Sequence, residues 1–504
     1  MTTSQMKTYK NICKTLRPAA LLNSTLRLLE WDQETQMPEE GLSIRAEQNN
    51  LITELSHKIK TSKKFANQLS LLIDIPSGNF LTHDLPDEIK ASIKEMRKDY
   101  LNDTKLTSSF IKKFANATTN GLDAWKTARE KKSFKLFTPY LNEIVDLTRK
   151  KAELLGYKEH PYNALLDLFE PGITVKKLDS LFDPLKNQLI SLIPQIQKKH
   201  ASSTDTFQKG NFPIKEQQIL AYDVIKDMGL LKKNYSLKET AHPFCSSFSP
   251  HDIRLSTHYY EDNLSKGLFA VIHECGHALY EKNLPFDCFG TPLGEPASFG
   301  VHESQSRIWE TFIGQSYPFW QHYFPKAQKL FPQSLTNISL EQFFQSLNHV
   351  SPSLIRIYAD EVTYNLHIIL RYEIEKGLLD GSIQVKNIPE IWNTKMQDYF
   401  GITPKNDSEG CLQDVHWSMA LFGYFPSYTL GNLYAGTLYS SLKQSHTDYE
   451  KKVKSGDFSF INTFLKEKIH TFGRRYSPVD LIEKATNTPF SPKPYLDYLE
   501  QKYL

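Results

Sequence analysis

Residues 270–282 read AVIHECGHALYEK, two histidines four positions apart with a glutamate directly after the first. Around them Leu264, Leu268, Val271, Ile272, Cys275, Ala278 and Leu279 recur at three and four, the spacing of a helix with one buried stripe. His273, Glu274, His277 and Glu281 fall together outside it. Residues four apart stand one turn along the same face, about 6 Å in rise, so two imidazoles can converge on one ion. Zinc takes imidazole nitrogen at about 2.0–2.1 Å, and its catalytic sites combine three protein ligands with a water. Glu274, beside the pair, is poorly placed as a further ligand but can reach that water as general base. The competing reading is a helix that merely carries histidines; 16 histidines in the chain make a chance match uncommon, and the helical context makes it rarer.

A third ligand is required. GVHESQSRIWE, 300–310, forms the next helix past the Gly/Pro-rich PFDCFGTPLGEPASFG at 285–300. Glu303 is the choice, because it shares a face with Ser306, Arg307 and Glu310 while Ile308 and Phe312 belong to another; His302 competes for the place. An acidic residue near a helix start is also favoured by the dipole, so a solvated Glu303 is the alternative.

Further out, DIRLSTHYY (252–260) reads as a strand, with Ile253, Leu255, Thr257 and Tyr259 alternating with Arg254, Ser256, His258 and Tyr260. Its second face, with Arg254 and His258, can present a cation to a ligand. SLIRIYADEVTYNLHIILRYEIE (353–375) reads as one long helix with Leu354, Val362, Leu366, Ile369 and Leu370 as core. Its polar stripe, Arg356, Asp360, Thr363, His367 and Arg371, either lines a cavity or forms a surface salt-bridge ladder. In GCLQDVHWSMALFGYFPSYTLG (410–431), Gln413, Asp414, His416, Trp417, Tyr424 and Tyr428 stand close in sequence. A histidine and a tyrosine hydroxyl there can hold an oxyanion, although an aromatic-rich segment equally suits plain core.

The whole chain, 504 residues with 40% hydrophobic and 23% charged, is ordinary globular material. A formal charge of +3 from 60 basic and 57 acidic residues lacks the basic excess of nucleic-acid or membrane-surface proteins. Cys13, Cys245, Cys275, Cys288 and Cys411 are odd in number, scattered and never spaced CxxC, which argues against a disulfide framework and for a reducing cytoplasm. The start, MTTSQMKTYK, lacks a signal-peptide plan, and no run approaches the roughly 20 apolar residues of a membrane span. Amphipathic helix dominates, as in LNEIVDLTRKKAELLG (141–156), and neither repeats nor long linkers interrupt it. P-loop, GxGxxG and GxSxG patterns are missing from the sequence.

Six stretches in order give the chain a resemblance to the carboxypeptidase Taq family: HPF (242–244), DIRLS (252–256), HECGH (273–277), HESQ (302–305), IRIYAD (355–360) and GCLQDVHW (410–417). WDQETQMP (31–38), LGYKEHPYNALLDLFEPG (155–172) and GYFPSYTLG (423–431) look similar too. Ser256 stands where the family usually has Thr, and Asn163 where it often has Asp. The resemblance implies a mainly α fold: one large helical domain, 1–504, with a deep central groove and a small β-sheet beside the HExxH helix. In it 1–240 would form a helical wall, 241–440 the metal and substrate motifs and 441–504 the C-terminal helices. It implies His273, His277 and Glu303 as ligands of Zn²⁺ (Co²⁺ or Mn²⁺ being possible), Glu274 as base and Arg356 as contact for the substrate's terminal carboxylate. His416 would stand close to the reacting carbonyl. The family are commonly homodimers that remove C-terminal residues with broad specificity, proline excepted.

The expected chemistry is a metal-acidified water, Glu274 as proton shuttle, and an oxyanion held by the metal with His416 and Tyr428 or Tyr424. Reading a free carboxylate calls for a guanidinium, whose fork matches it bidentately. The resemblance favours Arg356 and strand alternation favours Arg254. An endopeptidase or dipeptidase on a similar scaffold, and an inactive metal-stabilised scaffold, are the rivals.

Overall fold

Helix Phe134–Leu155 shows how the sequence builds its elements: Leu141, Ile144, Val145, Ala152 and Leu155 all bury on one stripe. Gly156, at φ 81°, then turns the chain out of it. The structure, a computed structural model, describes residues 3–81, 84–200 and 210–504; Met1 and Thr2 of the amino-terminal stretch lie outside them. Helices of this kind account for most of the described chain, beside one small sheet. Among the described residues no helix is long and apolar enough to cross a membrane.

The sheet consists of β1 (Tyr235–Glu239), β2 (Cys245–Ser249) and β3 (Asp252–Thr257) in the order β1-β3-β2. The central β3 runs parallel to β1 and antiparallel to β2, with an irregularity between Ser247 and Ser249. The strand expected over 252–260 therefore stops at Thr257, and it has two partners that alternation did not reveal. Nor is its second face simply polar. Ser256 is fully buried, where its hydroxyl accepts from the Phe244 N–H at 2.9 Å and ties the HPF stretch to the strand.

A second correction concerns 353–375. Only Tyr364–Asp380 is α-helix; Arg356–Tyr358 is a single 3-10 turn in an otherwise irregular segment. Asp360 explains the break, because its carboxylate accepts from the N–H groups of Val362 and Thr363, each at 3.0 Å, and from Ser351 N–H at 3.1 Å. Such local bonds compete with helix. Thr363, His367 and Arg371 are fully buried, so the polar stripe faces the interior and is no surface ladder.

The apolar interior has two parts. The larger extends from Ala117 to Tyr503. The smaller gathers Ile12, Phe65, Leu69, Leu72, Ile73, Leu85, Ile89, Ile93 and Met96. The N-terminal segment reaches the main body through polar links: Arg474 with Glu95 and Asp99, Lys98 with Asp167, and Arg27 and Ser24 with the carbonyls of Ser247 and Phe248. A cavity of about 500 Å³ opens along this seam, lined among others by Arg27, Phe248, Glu281, Phe299 and His302.

Candidate metal centre

The HExxH helix, Leu264–Asn283, begins where the Asn263 side chain accepts from Lys266 N–H at 3.0 Å. Every residue of its expected apolar stripe is buried, leaving His273 and His277 one turn apart on the remaining face. The second helix, Phe299–Arg307, begins at Ser298, whose hydroxyl accepts from Val301 N–H at 3.0 Å. Buried Glu170 fastens the same start by accepting from Gly300 N–H. A short π-helical turn, Ile308–Ile313, continues it.

Packed together, the two helices bring three donors to one point. His273 Nε2 and His277 Nε2 lie 3.2 Å apart, and Glu303 Oε2 stands 3.6 Å from the first and 3.7 Å from the second. Two glycines permit the approach: Gly276 faces the backbone of Gln305 and Ser306, and Gly431, on helix Phe425–Ser445, leaves room for the Glu303 side chain. Ser306 Oγ donates to Glu303 Oε2 at 3.2 Å. His302, the competitor for the third place, instead binds Glu281 at 3.0 Å and stacks on His277.

This donor set fits a divalent cation: two imidazole nitrogens and a carboxylate oxygen, all within 4.8 Å of one another. His273 has its other nitrogen, Nδ1, on Glu310 Oε2 at 2.8 Å, the carboxylate–histidine arrangement that fixes a ligand's tautomer and orientation. Burial opposes a charge on His273, but Glu303 and Glu310 outweigh it and hold its pKa at about 9, so the cluster draws positive charge. Burial, with His302 and His273 nearby, pushes His277 well below the usual range and keeps it neutral, as a ligand must be. Glu274 is buried, its pKa raised to about 7 by burial and the nearby Glu303 and Glu310, against the pull of His273. Among the described residues nothing donates a hydrogen bond to its carboxylate.

A second cluster adjoins the first. Buried Arg356 makes bonds of 3.1 and 2.8 Å to Asp414 Oδ1 and one of 3.1 Å to the Tyr364 hydroxyl. Arg371 holds the other oxygen of Asp414 at 2.6 Å. Two guanidiniums thus share one carboxylate, which burial opposes and they hold far below the usual range, leaving the group with surplus positive charge. His416 Nε2 lies 3.3 Å from the Tyr428 hydroxyl, and its ring stacks on Phe425. Burial, with Arg356 and Arg371, keeps its pKa near 4 despite Asp414. Tyr364 bridges the clusters, its ring 5.7 Å from the Arg307 guanidinium that binds Glu310.

Arg254 is not part of this assembly. It closes onto Asp252 through bonds of 3.0 and 3.2 Å and lies over the Phe248 ring. Asn163 is likewise structural, joining Lys158 O to Val175 N–H. Three contributors went unassigned in the sequence: Glu310, Asp414 as the anchor of Arg356, and Gly276 as the spacer inside HExxH. Only Glu310 had a signal, its place on the Glu303 face.

A buried histidine pair one helical turn apart, a facing glutamate and an adjacent arginine cluster define a metallopeptidase site. Residues 11–503 match the family model described as Carboxypeptidase Taq (M32) metallopeptidase, and the chain belongs to that family. It is 38% identical over 500 residues to Carboxypeptidase 1 of Bacillus subtilis, covering 99% of both chains. To Thermostable carboxypeptidase 1 of Thermus thermophilus it is 37% identical, covering 98% of both. The crystal structure of the M32 carboxypeptidase from Deinococcus radiodurans superposes with a TM-score of 0.94 at 31% identity, over 99% of both. The protein is therefore a metallocarboxypeptidase, a peptide hydrolase that uses a divalent metal ion.

Proposed function

We propose that the chain is a zinc-dependent carboxypeptidase of broad specificity in which His273, His277 and Glu303 hold the metal and Glu274 is the general base. The observation that carries this reading is the convergence of the two Nε2 atoms with Glu303 Oε2, with a buried Glu274 between the histidines in sequence. Cobalt or manganese suits the same ligands, since occupancy follows supply as well as affinity.

A divalent ion bound there supplies Lewis acidity, polarising the scissile carbonyl and acidifying a water. Glu274 takes that water's proton and passes it to the departing amine. His416 and Tyr428, paired at 3.3 Å, donate to the oxyanion as it develops. Arg356 receives the substrate's terminal carboxylate, drawing on the surplus charge it shares with Arg371, while Asp414 keeps its guanidinium in place. The chain works as one domain in the cytoplasm.

The protein acts as a homodimer in this reading. Leu21 and Leu28 on helix Thr3–Thr35, and Ile44, Leu51 and Leu55 on helix Leu42–Lys60, are exposed apolar residues at helical spacing that a second copy would cover.

Mass spectrometry of a peptide incubated with the protein tests the proposal. A ladder shortened from the C-terminus, abolished by a chelator and restored by zinc, is expected. An amidated peptide should stay intact; internal cuts, or equal trimming of the amide, would overturn the carboxypeptidase mode.

A further inference from the structure

One buried hydrogen-bond chain runs from the metal cluster to the segment that carries Arg356. Glu310 Oε2, which holds His273, also accepts from Arg307 Nη1 at 2.7 Å. Arg307 Nε donates to Asn432 Oδ1 at 2.8 Å, and Asn432 Nδ2 donates to Asn365 Oδ1 at 2.9 Å. Asn365 Nδ2 donates to the Tyr495 hydroxyl at 2.9 Å, which in turn donates to the carbonyl of Glu361 at 2.6 Å. Glu361 lies five residues beyond Arg356, and its side chain also accepts from Tyr498 and Tyr503 at 3.0 and 2.6 Å.

Asn365 and Asn432 are buried to 0% and 1% exposure, on different helices. A buried amide pair is costly unless each member is partnered, and here every link runs in one donor direction. An apolar pair would fill the same space, so packing alone does not call for amides.

We propose that Asn432, anchored by Asn365, is a positioning residue for the metal. It fixes the Arg307 guanidinium, which fixes Glu310, which sets the ring of His273. This rests on His273 being a ligand. Partners one step behind a ligand typically change metal affinity about 10–100-fold. Asn432 stands further back, so its removal should cost about tenfold.

The test is zinc titration of chelator-stripped protein against a chromophoric chelator, with melting temperature measured alongside. Asn432→Leu, matched in size but without polar atoms, is expected to bind zinc about tenfold more weakly. Asn432→Asp, which keeps the acceptor for Arg307, should stay within about twofold of the parent. Leucine and aspartate variants that both bind like the parent, or that both lose the same affinity, would overturn the proposal. Should Asn432→Leu fail to fold, Arg307→Lys breaks the Nε link while keeping a cation near Glu310. It should show the same tenfold loss, and parent-like binding would overturn the proposal. Zinc uptake by the parent that survives His273→Ala would show instead that the ligand assignment itself had failed.

Discussion

The backbone of Gly276 lies so close to that of Gln305 that a methyl group on the glycine would stand 2.5 Å from the Gln305 carbonyl oxygen and 2.7 Å from Ser306 Cα. Neither atom belongs to a flexible side chain that can give way. The small residue inside HExxH is thus what allows Glu303 to reach the two imidazoles.

Gly276→Ala should therefore part the two helices, costing about 1–3 kcal/mol of stability as overpacking does. Metal content after gel filtration should fall well below that of the parent. Full occupancy in the variant would show that the close approach is dispensable.

Glu274→Gln keeps the shape of the side chain and removes its capacity to take a proton. Turnover should drop by about 10²–10⁴, the usual worth of a positioned base. Zinc content should be unchanged. Steady-state kinetics paired with metal analysis decides the point; a variant with parental turnover would remove Glu274 from the mechanism.

For the two arginines the expected outcomes diverge. Arg356→Ala should lower kcat/KM on free-carboxylate peptides about 10–100-fold, the range of charge-assisted hydrogen bonds. Arg254→Ala should leave it close to the parent, because Arg254 is engaged with Asp252. The reverse pattern would reassign the carboxylate contact.

Buried Glu375 accepts from Trp417 Nε1 and Gly423 N–H, each at 2.9 Å, and from the Tyr162 hydroxyl. Burial raises its pKa from 4.5 to about 7. Below pH 4.5 the group is protonated whether folded or not, and its contribution is fully present. As pH rises toward 7 the unfolded chain releases the proton first, so stability is lost, by roughly 3 kcal/mol in full. Denaturant melts of parent and Glu375→Gln across pH 4–8 should show a steeper decline in the parent. Parallel curves would refute the shifted titration.

Leu51→Asp places a charge in the exposed apolar stripe of helix Leu42–Lys60. Sedimentation velocity should show dimer in the parent and monomer in the variant, with a similar melting temperature. A parent that sediments as a monomer would dismiss the homodimer.

What could be read in advance was what a single element encodes. The HExxH pair declares itself because helical spacing alone puts both rings on one face, and Glu303 follows because it sits on the polar side of the next helix. What escaped notice depends on distant partners. Asp414 binds Arg356 from 58 positions along the chain, and no local pattern announces that. The strands β1 and β2 were missed because they are short and rich in serine or charge, without the β-branched alternation that marked β3. The segment 353–363 imitated a helix by periodicity, while the carboxylate of Asp360 captured the amides that helix would have used.

Because the N-terminal hundred residues keep an apolar cluster separate from the large one and are joined to it by ion pairs and carbonyl acceptors, the two bodies need not melt together. Calorimetry should resolve a first, salt-sensitive endotherm ahead of the main one. A hinge held by charges that water can replace lets the peptide cleft widen without exposing oily surface, so admission of substrate would be tuned by ionic strength while the metal cage stays rigid.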